Sequence, residues 1–185
     1  MENELRNIRF NILIFICISA FSNLLSAEDL EEERLFKAAF TYNFAKFTIW
    51  PDSIADQDGS LILCTIGKSK LVTDLNRLGG KRIKRRTVAT RAIKKNQSTE
   101  NCHILYIAKS EKNNIKSILN TTKNKPVLTV SDLSNFVTSG GIIQFYRKNR
   151  KTHMIINLDT ARKSGLEISS RLLILADVIN TEDSP

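Results

Sequence analysis

The sequence predicts an α/β fold: a largely parallel central sheet flanked by helices, Rossmann-like and three-layered, with a C-terminal β-hairpin. Three observations predict it. Short, nearly all-apolar runs such as Leu61–Ile66 and Cys102–Ala108 have the pattern of strands covered on both faces. Stretches with apolar residues three and four apart lie between such runs, so strands and helices alternate as parallel strand-helix-strand units require. Near the C-terminus, IIQFYRK and THMIINL flank Asn149-Arg150, the layout of an antiparallel hairpin.

The N-terminal segment stands apart from that pattern. An uninterrupted apolar run, ILIFICISAF at 12–21, follows Arg6 and Arg9 and precedes the small residues Ser26 and Ala27. This is the layout of a secretory signal peptide, and the run is shorter than the about 20 residues a membrane span needs. We expect residues 1–27 to be removed and the product to be periplasmic, secreted across the inner membrane; the alternative is an uncleaved anchor. Ile16 stands where a lipid-attachment cysteine would want a small residue, which argues against that role for Cys17. Residues 28–185 suit one domain with a full-sized core.

Taken in order, the chain first offers an amphipathic helix. Phe36, Phe40, Phe44 and Phe47 recur at spacings of four, four and three on one helical face. Acidic residues from Glu28 to Glu33 suit its N-terminal dipole, and Trp50-Pro51 ends it. Leu61–Ile66 is the first buried strand. Gly67 breaks it, and Leu71, Leu75 and Leu78 predict a helix over 70–78 closed by Gly79-Gly80. Residues 81–92 read as one extended basic strand and 102–108 as the second buried strand. Ser110 is expected to cap a helix reaching Asn120, and Pro126 opens a third strand, PVLTV. A short helix is expected over 132–137, then the hairpin, then a helical turn over 159–163 stopped by Gly165. A closing helix over 169–179 would turn Leu172, Leu175, Ala176 and Ile179 inward.

Several chemical motifs fail on inspection. Gly67-Lys68-Ser69 follows a strand and opens a helix as a phosphate loop does, but Ile62 stands where the motif wants its first glycine. Cys102 and His103 are strand neighbours pointing to opposite faces, so they cannot chelate one metal, and His153 is a lone hairpin histidine. No catalytic triad, carboxylate pair or metal-ligand cluster emerges from spacing. The expectation is therefore no catalytic residue, no metal, no cofactor and no enzyme.

Charge and cysteines carry more. The formal net charge is +9, concentrated in GKRIKRRTVATRAIKK over 80–95. In a cytoplasmic protein such a run suggests nucleic acid. For an exported one it means a solvated strand edge, attraction to anionic lipid or an acidic partner, and nucleic acid is not expected. Cys64 and Cys102 each fall in a predicted buried strand, and an even pair in an oxidising compartment is readily a disulfide; the alternative is two buried thiols.

Two surfaces could receive a partner, since an apolar patch rimmed by charge is the usual form. One is the helix exit, with Asn43, Phe47, Ile49 and Trp50. The other is the hairpin, with Phe145, Tyr146 and a basic turn in which Arg147 and Arg150 are expected to be solvated.

FKAAFTYNFAKFTIWP, LILCTIG, NCHILYIAKS, PVLTVSD, SGGIIQFYRKNRK and MIINLDTARKSGLEISSRLLILA, in that order, resemble the successive blocks of the YfiR family of small periplasmic proteins. The resemblance runs from about Leu35 to Val178. It implies an exported α/β regulator that holds an inner-membrane diguanylate cyclase inactive by binding that enzyme's periplasmic region, and so controls cyclic-di-GMP signalling and biofilm formation. It also implies release linked to redox change and to an outer-membrane lipoprotein. Cys64 and Cys102 match cysteines of two family blocks, whereas the second pair some members carry is absent. A homodimer stays open, and so does a second function class, a periplasmic small-ligand-binding sensor with Asn43 and the helix exit lining its pocket.

Overall fold

The computed structural model describes residues 29–55, 59–94 and 97–180. The expected signal peptide lies outside the described residues. An eight-stranded sheet has the order β10 (Asp177–Ile179), β8 (Lys151–Asn157), β7 (Ile143–Lys148), β6 (Leu128–Ser131), β5 (Ile104–Ile107), β2 (Ser60–Ile66), β4 (Arg86–Ile93), β3 (Arg82–Ile83), and a two-stranded piece pairs β1 (Thr48–Ile49) with β9 (Glu167–Ile168). The parallel members of the large sheet are β4, β2, β5, β6 and β7. Its antiparallel contacts are β7 with β8 and β4 with β3, while β10 runs parallel to β8. The fold is thus a mixed α/β one with a mostly parallel sheet, as expected.

The apolar strands work as the sequence pattern requires. Leu61 and Leu63 of β2, Ile104 and Tyr106 of β5, and Leu128 and Val130 of β6 enter one core, while Cys64, Ile66, Leu105 and Ile107 enter the other. Alternate residues of one strand fill opposite layers, so a continuous apolar run is satisfied on both faces. Helix α1, over residues 29–47, covers the first layer; α4 (Ile115–Thr122) covers the second with Ile118 and Leu119.

Local chemistry sets the connections. Ser69 caps α3 (Lys70–Asn76), its hydroxyl accepting from Val72 N–H at 3.1 Å. Gly67 has φ +90°, and a Cβ there would sit 2.5 Å from the Ser110 hydroxyl, so only glycine lets the ends of β2 and β5 approach. Asn149 (φ 50°) and Arg150 (φ 62°) form the two-residue turn between the paired Lys148 and Lys151, a left-handed geometry that matches strand twist.

Several expectations are corrected. Helix α1 ends at Phe47, short of Trp50, because Thr48–Ile49 leaves it as β1 to pair with β9 (Glu167–Ile168). The basic stretch 81–92 is two strands folded back at Lys84-Arg85, with Lys84 at φ 51°. Ser110 caps no helix: Lys109–Asn114 is a 3₁₀ turn, and the Ser110 hydroxyl accepts from Lys68 N–H at 2.8 Å. Residues 134–140 form turns where a helix was expected. The closing segment is one helical turn, α6 (Ser170–Leu173), followed by β10. Pairing of Asp177–Ile179 with β8 satisfies backbone groups that a helix would otherwise have to satisfy within itself. The short α2 (Asp52–Ala55) and α5 (Leu158–Lys163) complete the chain, the latter stopped at Gly165 as expected.

Candidate interaction surface

Helix α1 organises the surface as well as the core. Its aromatic stripe continues into the sheet: Phe36 stacks on Phe40 at 4.2 Å, Phe40 meets Phe44 edge-on at 6.3 Å, and Phe44 stacks on Phe145 of β7 at 5.8 Å. Phe145 and Phe44 are fully buried, so the ladder holds the helix to the hairpin. Trp50 is also buried, its ring edge-on to His103 at 5.8 Å. Phe145 and Trp50 therefore support the surface from within, and neither can meet a partner unless the fold opens.

The charged face of α1 is tied to the same hairpin. Arg147 pairs with Glu33 at 2.7 Å and with Asp29 at 3.7 Å, and Arg150 also pairs with Asp29. The Arg150 hydrogen bond holds the Asp29 carboxyl below its ordinary range. Burial works against the Glu33 carboxylate, but Lys37 and Arg147 outweigh it and keep it low. The ladder continues inward through the buried Lys37, 2.6 Å from Glu33 and 3.1 Å from Asp132. Asp132 in turn accepts from the Tyr106 hydroxyl at 3.1 Å. Burial and the Asp132 charge both raise the Tyr106 phenol, which stays protonated as the donor. Arg147 and Arg150 are exposed, as expected, and they are also ion-paired to residues more than a hundred positions away. Tyr146 likewise reaches Asp177 of β10, fastening the hairpin to the sheet's edge.

What remains open on this side is apolar. Phe40, Asn43, Phe44, Lys46, Phe47, Leu172 and Leu175 line a groove of about 290 Å³ at the α1 exit. Beyond it Ile49 (59%), Ile174 (83%), Leu175 (58%) and Val178 (42%) are exposed. The β1–β9 pair and the Ser169 N–H bond to the Phe47 carbonyl (2.8 Å) bring the α1 exit beside α6. Asn43 and Phe47 thus belong to this surface, with Asn43 also donating to the Ala39 carbonyl at 2.9 Å. Sequence reasoning missed Ile174, Leu175 and Val178 because helical spacing had turned that segment inward. The β-branched pair Val178-Ile179 was the available signal for a strand.

Cys64 and Cys102 are joined in a disulfide, with Cα atoms 5.7 Å apart. The bond is buried between β2 and the strand entering beside it, and the Arg91 guanidinium donates to the Cys102 Sγ at 3.2 Å.

Fold and surface define the class: an α/β domain with a mostly parallel sheet, whose first helix exits beside α6 at a largely apolar groove. The chain belongs to the YfiR/HmsC-like family, whose model matches residues 35–177. That membership supports a regulatory role in the cyclic-di-GMP pathway, in a family that is generally non-enzymatic. No curated protein matches the chain at a significant level.

Proposed function

We propose that the protein is a periplasmic regulatory binding protein that represses a membrane-bound diguanylate cyclase by contact with the enzyme's periplasmic region. On this reading an outer-membrane lipoprotein competes for the same protein and relieves the repression. The observation that carries it is the apolar patch of Phe47, Ile49, Ile174, Leu175 and Val178, edged by Lys46 and Asp177. Isolated exposed leucines are ordinary, but large apolar side chains exposed in two stretches, 47–49 and 174–178, with Phe47 and Leu175 lining one groove, suit a protein partner.

The test is co-expression with a diguanylate cyclase that carries a periplasmic region, reading cyclic-di-GMP in cells. Wild type should lower the signal, and Ile174→Asp with Leu175→Asp should restore it while the protein still accumulates in the periplasm. Equal repression by the double variant would remove the patch from the interface. Protein confined to the cytosol with Met1 intact would remove the periplasmic reading.

The groove at Phe40, Asn43 and Phe47 favours a second reading, a small-ligand-binding sensor. Its sign would be a small molecule that copurifies with wild type and is lost in Asn43→Leu.

A further inference from the structure

The excess positive charge of the chain lies in one carboxylate-free stretch that forms an outer edge of the sheet. Residues 75–99 contain nine Lys and Arg and no Asp or Glu, which equals the net charge of +9 for the whole chain. The rest of the sequence is electrically balanced. In the fold this stretch runs from the end of α3 through β3 and β4, and β3 is the terminal strand of the eight.

The side chains divide into two groups. Arg86 turns inward, donating to the Ser60 carbonyl at 2.6 Å, and Arg91 donates to the Glu100 carbonyl at 2.6 Å. Lys81, Arg82, Lys84 and Arg85 are exposed, and among the described residues no carboxylate lies within ion-pairing distance of them. Helix α1 adds to the same edge. The Tyr42 hydroxyl donates to the Arg82 carbonyl at 2.7 Å, and Lys46 lies over the Tyr42 ring, 6.0 Å from its centre. By contrast, the exposed Arg147 and Arg150 near α1 are ion-paired with Asp29 and Glu33.

We propose that this edge, Lys81, Arg82, Lys84 and Arg85, is an electrostatic docking surface for anionic phospholipid headgroups. A specific protein interface has an apolar centre within a polar rim, and none of the large exposed hydrophobic residues falls in 75–99. A row of unpaired cations with no apolar centre suits a diffuse anionic plane, which sets no register. Each such residue near an anionic surface multiplies partition about fivefold, and the attraction falls off within a Debye length. The inference does not rest on the regulatory reading above.

The experiment is co-sedimentation of the full-length protein with vesicles of phosphatidylcholine alone or with about 30% phosphatidylglycerol, a content at which basic segments bind. Binding to the neutral vesicles measures whatever the apolar segment at 12–21 contributes. The anionic vesicles should bind more, and the difference should vanish in high salt. Lys81→Gln, Arg82→Gln, Lys84→Gln and Arg85→Gln together should reduce that difference at least about tenfold. Neutralising Lys112, Lys116, Lys123 and Lys125, all exposed on the α4 side, should leave most of it. Equal losses in the two quadruple variants would show that only total charge matters and overturn the site. So would wild type that ignores anionic vesicles yet binds an acidic protein domain through this edge. If the first quadruple variant melts below wild type, the pairs Lys81→Gln with Arg82→Gln and Lys84→Gln with Arg85→Gln give the same comparison.

Discussion

Phe44 and Phe145 stack with ring centroids 5.8 Å apart, and this buried contact joins the first helix to the C-terminal hairpin. Both rings are fully buried. Truncating either leaves a cavity between α1 and the sheet that rigid strands cannot close. We expect Phe44→Ala to cost about 3–5 kcal/mol in urea unfolding, and Phe145→Leu markedly less because it keeps most of the volume. Equal, small effects from both would show that the helix is held elsewhere.

The disulfide closes a separation of 38 residues. On chain entropy it should contribute about 4 kcal/mol, less any strain. Non-reduced, denatured protein should resist thiol alkylation at Cys64 and Cys102, and Cys64→Ser should melt well below wild type. Unchanged melting would confine the bond to another role.

His103 predicts a pH dependence. Burial, then the Arg86 guanidinium, lowers its pKa from 6.5 to about 4. The Arg86 Nη2 lies 2.7 Å from Nε2, Ile62 N–H donates to Nδ1 at 3.1 Å and Trp50 packs edge-on, so a ring proton would face a cation in an apolar setting. Between pH 6.5 and 4 the unfolded chain binds a proton that the folded one refuses, so stability falls as pH drops through that window. Unfolding midpoints at pH 7 and pH 4.5 should differ more for wild type than for His103→Gln. An identical slope in the two proteins would assign the effect to carboxylates.

Charge reversal at the hairpin turn would break ion pairs to α1. Arg147→Glu would place a carboxylate against Glu33 and Asp29, whereas Arg150→Glu opposes only Asp29. The melting temperature should fall for both and more for Arg147→Glu, with the gap narrowing in high salt. Glu33→Arg combined with Arg147→Glu should recover part of the loss. If all variants melt with wild type, these ion pairs contribute nothing measurable, as many exposed pairs do.

The strands of the core were readable in the sequence because a run that is buried on both faces has to be apolar throughout. Leu61–Ile66 falls within β2, and the centre of 102–108 is β5, with Cys102 buried just before that strand. The hairpin was readable because its two-residue turn sits between paired β-formers. Helix α1 was legible from the spacing of its phenylalanines, and so was part of the candidate surface, Asn43 and Phe47.

Tertiary structure decided the rest, for reasons local pattern does not carry. Leu172, Leu175, Ala176 and Ile179 fit a helical period, yet hydrogen bonding to β8 takes Asp177–Ile179 into the sheet and leaves Ile174 and Leu175 outside. Residues 81–92 read as one strand, but pairing of Arg82 with Thr87 folds them back into two. Arg147 and Arg150 are exposed as read, but their ion pairs were not legible because the partners, Asp29 and Glu33, lie at the other end of the chain. Periodicity records which residues must leave water. Which backbone groups pair, and which charges meet, depends on contacts between segments far apart in sequence.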